Sequence, residues 1–162
     1  MTRWLSESEQ ASWRAWIEAS NMLNHQLSVD LQREHDLTLA DYEILVQLSE
    51  HPERRLRMSE LADATLASRS RLTHQVDRLV KRGYVERQEC ELDRRGSFAA
   101  LTDAGWKAIE AAAPDHVESV RAYLVDALGP AEFAALGEAA PRSPARSRTP
   151  PPTDRPAASA GT

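Results

Sequence analysis

A mainly α-helical chain with one small β-hairpin is what this sequence predicts, and three observations carry that expectation. From Glu7 to Glu34 there is no Gly or Pro, and apolar residues recur at helical spacing. Between Met58 and Gly83, two short helical patterns are separated by a turn near Ala67-Ser68. After Gly83 the pattern changes to alternation, in Tyr84-Val85-Glu86-Arg87 and less strongly from Ser97 to Leu101, around a charged loop.

In chain order, Ser6 with Glu9 three positions on fits a capping box for a first helix over residues 7–34. Trp16, Leu23, Leu27 and Leu31 form its apolar stripe, broadened by Trp13, Ile17 and Met22. A helix this long ahead of the core packs against something beyond its own domain, and a partner chain is one candidate. Thr38 caps a second helix, with Tyr42, Ile44, Leu45 and Leu48 apolar, which ends before His51-Pro52. Leu56-Arg57 suggests a brief strand. A third helix follows over Met58–Thr65, with Ser59 as its cap and Leu61, Ala62 and Leu66 as its apolar residues. Ser68 caps a fourth over 69–82, and Gly83 closes it in the position where a left-handed residue ends a helix. The alternating strands span 84–101, with Gly96 available for a positive φ in the loop. Thr102 caps a helix over 103–128 whose apolar residues run Trp106, Ile109, Ala113, Val117, Val120, Leu124 and Leu128. Pro114 lies inside it and should kink or restart it. Gly129-Pro130 ends that run and begins a short last helix. Two strands with a basic tip after a helix-turn-helix make a winged helix.

The length of 162 residues suits one domain, set at 1–140. Residues 141–162 hold six of the nine prolines, no aliphatic residue beyond alanine and no aromatic, so they cannot offset the entropy of ordering and read as disordered. The single cysteine, Cys90, excludes an intramolecular disulfide, and no Cys/His spacing suggests zinc. No metal or cofactor is expected. No nucleophile elbow, Gly-rich phosphate loop or paired-carboxylate motif points to an enzyme. No charged apolar leader opens the chain and no apolar run is long enough for a bilayer, which leaves the cytoplasm as the expected compartment.

Charge is distributed unevenly. The net charge is −5, yet residues 1–50 carry −6, residues 69–95 carry +3 and residues 96–140 carry −5. A bias of +3 over 27 residues is also what an ordinary solvated face would show. The 69–82 helix sharpens it. Leu72, Val76, Leu79 and Val80 form one face, and Arg69, Ser70, Thr73, His74, Asp77, Arg78 and Lys81 form the other. That second face is mostly hydrogen-bond donors of the kind that contact base edges and phosphates, so the expected partner is double-stranded DNA.

Two stretches carry a family resemblance: "SRSRLTHQVDRLVKRGYVER" from Ser68 to Arg87, and "DRRGSFAALTDAG" from Asp93 to Gly105. In this order and spacing they resemble the MarR family of winged helix-turn-helix transcription regulators, with the general pattern extending over roughly residues 4–138. The resemblance implies a homodimer built from the first and last helices, here 7–34 and 103–128, on a pseudo-palindromic operator. It implies that Ser68, Arg69, Ser70, Arg71, Thr73, His74 and Arg78 approach the major groove. Arg94 and Arg95 take the wing-tip position that enters the minor groove, and Asp93 the acid position that orients such arginines. It also implies a repressor released by a small aromatic or phenolic effector, for which Trp13, Trp16 and His25 are candidate pocket residues. The chain departs from the family where the last helix stops at Pro141, which implies a smaller dimer interface.

Two alternatives stand beside this reading. A winged helix can serve protein contacts alone, and it would then show no salt-dependent DNA affinity. Cys90 could sense peroxide, as in the organic-hydroperoxide branch of the family, but that branch carries its reactive cysteine in the first helix. Glu89 and Glu91 would also disfavour a thiolate at Cys90.

Overall fold

The structure is a computed structural model that describes residues 1–89 and 97–140. Cys90, Asp93, Arg94, Arg95, Gly96 and the 141–162 tail lie outside the described residues. The first helix, α1, runs Glu7–His35, and its capping box forms as expected: Ser6 Oγ accepts the Glu9 N–H while the Glu9 carboxylate accepts the Ser6 N–H at 2.7 Å. Helix α2 (Leu39–Glu50) starts from Thr38, whose Oγ1 accepts the Asp41 N–H. Strand β1 (Arg55–Arg57) leads directly into α3 (Met58–Ala64), and α4 (Arg69–Lys81) follows after a turn. Strands β2 (Val85–Glu89) and β3 (Ser97–Leu101) pair antiparallel from Val85↔Leu101 to Glu89↔Ser97, and β1 pairs with the other edge of β3, giving the order β1-β3-β2. Helix α5 (Asp103–Val120) passes through a π-helical turn at Arg121–Val125 into α6 (Asp126–Leu128), and α7 (Pro130–Ala139) ends the described chain.

Leu37, Ile44, Leu45, Leu48, Leu61, Leu72, Val76, Leu79 and Val85 are sealed from solvent in one core. They come from the α1–α2 turn, α2, α3, α4 and β2, so the apolar face expected on α4 is the one that packs. Its C-terminal end is fixed by two backbone bonds, Gly83 N–H to Val80 O and Tyr84 N–H to Leu79 O, with Gly83 at φ 75°. This pair of bonds is the Schellman arrangement, which only a residue tolerant of the left-handed region completes cheaply.

Four expectations need correction. The cap of α3 is Arg57, not Ser59: it lies two residues earlier, directly before Met58, and the Glu60 carboxylate accepts the Arg57 N–H. Leu66 does not lie on an apolar helix face. It sits exposed in the α3–α4 turn at φ 53°, where the chain must reverse. Pro114 neither breaks nor restarts α5. Pro114 and Glu110, whose carbonyl loses its helical partner, both lie on the exposed side, where water can take up the missing bond. The irregularity comes instead at the π turn, seven residues beyond Pro114. The short strand β1 also starts one residue before Leu56.

The lower half of α1 is held to the end of α5 and the π turn after it by a polar pin. Asp30, buried, accepts the Tyr123 hydroxyl at 2.8 Å, Ser119 Oγ at 3.2 Å and Gln26 Nε2 at 3.2 Å. The Tyr123 hydroxyl bond is the main influence holding the Asp30 carboxyl below its usual range. The upper half of α1 and the residues before it behave differently: Trp4, Leu5, Trp13, Trp16, Ile17 and Met22 are all exposed. Among the described residues, no helix is long and apolar enough to cross a membrane.

Candidate nucleic-acid interface

Helix α4 is built to present one face outward. Leu72, Gln75, Val76 and Leu79 point into the protein, while Ser68, Arg69, Ser70, Arg71, Thr73, His74, Arg78 and Lys81 are exposed. Ser68 Oγ accepts the Arg71 N–H, which fixes the first turn. The remaining N-terminal amides and the positive end of the helix dipole favour an approaching phosphate. Thr73 Oγ1 donates to the Arg69 carbonyl at 2.8 Å, so its hydroxyl proton is already engaged and its methyl is left to make contact.

Arg78 has a second attachment that local sequence does not reveal. Its Nη2 donates to Asp41 Oδ1 at 2.6 Å, and Asp41 is only 2% exposed, with Oδ2 accepting from Thr38 Oγ1 at 2.7 Å. One carboxylate thus caps α2 and anchors α4. Arg78→Ala leaves that buried carboxylate without its cationic partner. Because Arg78 is half exposed, water softens the loss, and about 1–2 kcal/mol is expected rather than the larger cost of a fully buried pair. Urea unfolding of the variant checks it; an unchanged midpoint would show that Asp41 is satisfied without Arg78.

The other end of α4 is tied twice. Arg82 donates to the Asp36 carbonyl and lies 3.1 Å from its carboxylate, fastening α4 to the α1–α2 turn. Arg87 on β2 reaches back to Asp77 through Nε at 3.1 Å and Nη2 at 2.9 Å. The exit from the hairpin is equally defined. Thr102 Oγ1 donates to the Gly83 carbonyl at 2.6 Å and accepts the Gly105 N–H, while the Thr102 N–H donates to the Tyr84 carbonyl. A Cβ on Gly105 would stand 2.2 Å from the Tyr84 carbonyl oxygen and 2.7 Å from Leu101 Cδ1. The Leu-Thr-x-x-Gly spacing is therefore a joint between the end of α4, the hairpin and α5. On the hairpin's β1 side, the Arg55 and Arg57 guanidinium groups both lie 5.2 Å from the Phe98 ring, and Arg54 covers Trp106 at 4.1 Å. These arginines were not among the expected site residues; only the β1–β3 pairing brings them beside the hairpin.

The three candidate pocket residues do not converge. Trp13 and Trp16 lie on the exposed upper half of α1, beside Ile17 and Met22. His25 sits about two turns or more below them, on an open groove of about 890 Å³ between α1, the start of α2 and the outer side of α4. Asn24, Ser28, Thr38, Arg71, His74 and Arg78 share that groove.

A helix-turn-helix with an exposed donor-rich second helix, followed by an antiparallel hairpin, defines a winged helix-turn-helix DNA-binding protein. Comparison with known proteins agrees. Residues 35–96 match the model of the MarR family. The crystal structure of AbsC, a MarR family transcriptional regulator from Streptomyces coelicolor, superposes with a TM-score of 0.79 at 48% identity, over 85% of this chain and 93% of that one. Sco3205, a MarR family regulator from the same organism solved in complex with DNA, gives 0.82 at 46% identity, over 85% and 86%. An uncharacterized HTH-type transcriptional regulator of Bacillus cereus is 29% identical over 126 residues, 78% of this chain and 82% of its own length. The chain belongs to the MarR family of DNA-binding transcription regulators, a family of regulators and not of enzymes.

Proposed function

We propose that this protein is a cytoplasmic homodimeric repressor that binds a pseudo-palindromic operator, one α4 helix per half-site, and releases it when a small aromatic or phenolic effector binds. The observation that carries the reading is the exposed donor face of α4 from Ser68 to Arg78, held in place by Asp41, Asp36 and Thr102. Sco3205, solved with DNA, shares this architecture at 46% identity, which supports DNA as the partner. The bare apolar surface of Trp13, Trp16, Ile17 and Met22, with Val117, Tyr123 and Phe133 exposed at the other end of the chain, supports a second copy as its cover. For an effector, the groove beside His25 has the better chemistry. Its volume suits a small molecule, and Arg71 and Arg78 could hold an acidic group on it. A ligand there touches both α1 and α4, so it can bias the position of the helix that meets DNA.

Within this scheme α4 reads bases, while Arg94 and Arg95, assigned on the sequence signature, supply contacts that do not depend on base sequence. His74→Ala should flatten the preference for operator over unrelated DNA. Arg95→Ala should weaken both alike and lower the salt slope by about one. Fluorescence anisotropy on the two DNAs across a salt series separates these outcomes. A His74 variant with unaltered selectivity would remove α4 from the reading role, and a parent protein without salt-dependent binding would favour a protein-contact module instead.

A further inference from the structure

We propose that Glu34 and His35 at the end of α1, with Asp115 and His116 on α5, form a binding site for a divalent transition-metal ion with the ligand preference of zinc. In sequence the two pairs are 80 residues apart, so no metal-binding spacing announces them. In the fold, His35 Nε2 lies 2.8 Å from Asp115 Oδ2, and one donor atom from each of Glu34, His35 and Asp115 falls within 4.8 Å of the others. Tetrahedral coordination with metal–ligand bonds near 2.0–2.1 Å separates ligand atoms by about 3.3 Å. The His35–Asp115 pair is already near that spacing, and the Glu34 carboxylate, on an exposed and rotatable side chain, has to move in by at most about 1.5 Å. An ion here would take the place of the His35–Asp115 hydrogen bond.

A second observation concerns the small cavity beside these groups. His116 lines the same small cavity as Glu34, His35 and Asp115, and its buried Nδ1 has no hydrogen-bond partner among the described residues. The cavity, about 10 Å³, is the size of a single water molecule or ion. The charges facing it favour a cation: Glu34, Asp115 and Asp30 on its walls, against Arg33, which bridges Glu34 at 2.6 Å and Asp30 at 3.3 Å. Two carboxylates with imidazole nitrogen make a donor set that zinc accepts and that calcium or magnesium, which want oxygen alone, do not.

The position also suggests what the ion does. His35 is followed by Asp36, the residue that receives Arg82 from the end of α4. Binding an ion between α1 and α5 fixes the segment that anchors the DNA-facing helix. This consequence rests on the DNA-reading assignment, whereas the binding itself does not.

The test uses untagged full-length protein, stripped with EDTA and free of DNA. Titration with cobalt(II), followed by visible absorption and then displacement by zinc, should give the spectrum of a tetrahedral site at one ion per chain. His35→Ala and Asp115→Ala should each weaken zinc binding by roughly 100-fold or more, and Cys90→Ser should not change it. Glu34→Gln, at an exposed position that the fold does not need, should also weaken it and serves if either of the other variants is unstable. Absence of saturable uptake, or full affinity in Glu34→Gln and His35→Ala, overturns the site. Zinc that binds the parent with these mutational effects yet leaves DNA affinity unchanged would keep the site and remove only its link to α4.

Discussion

Gly105→Ala is expected to be among the most damaging single-methyl changes in this protein. Helix propensity alone would favour alanine by about 1 kcal/mol. The added Cβ, however, would meet the Tyr84 carbonyl oxygen at 2.2 Å, and that oxygen belongs to the backbone and also accepts the Thr102 N–H. Relief requires α5 to move away from the hairpin, which breaks the Thr102 contacts with Gly83 and Gly105. Overpacking costs about 1–3 kcal/mol, and a clash with fixed backbone belongs at the upper end, leaving a net loss of about 2 kcal/mol. That is a large fraction of a total that is only about 5–15 kcal/mol for a typical domain. Urea unfolding should show a clearly lower midpoint with the slope retained. An unchanged midpoint would mean that the joint between α4, the hairpin and α5 is looser than its distances indicate.

The second large effect is on binding. Arg69 and Arg71 are exposed on the first turn of α4, and neither is committed to the anchoring contacts that occupy Arg78, Arg82 and Arg87. Replacing both by alanine should leave thermal unfolding nearly unchanged, since surface substitutions away from such contacts usually stay within about 0.5 kcal/mol. DNA affinity should fall on the order of 100-fold, from about 1–3 kcal/mol for each lost arginine contact. Retained affinity with retained stability would show that DNA meets a different face.

Much of this architecture was legible because it is local. Caps at Ser6, Thr38, Ser68 and Thr102 and the left-handed Gly83 depend on residues within five positions of each other, and all five form. The polar and apolar faces of α4 are likewise a matter of periodicity. The sequence said nothing about contacts between distant segments. Asp41 reads as an ordinary first-turn acid, yet it is buried and holds Arg78, 37 positions away. Trp13 and Trp16 sit on a good apolar stripe, but periodicity does not say what covers a stripe, and among the described residues both stay half exposed. Pro114 misled because the cost of a proline in a helix depends on which side faces water. Leu66 misled because a turn can take a leucine that composition would place in the core.

The central claim is that the outer face of α4 reads DNA in pairs. Selection of binding sites from a random double-stranded library, with full-length protein near physiological salt, addresses it most directly. The expected product is an inverted repeat with half-site centres about one helical turn apart, bound less tightly as salt rises and lost as a preferred sequence in His74→Ala. A pool with no enriched sequence, bound no better at low salt than at high, would contradict it.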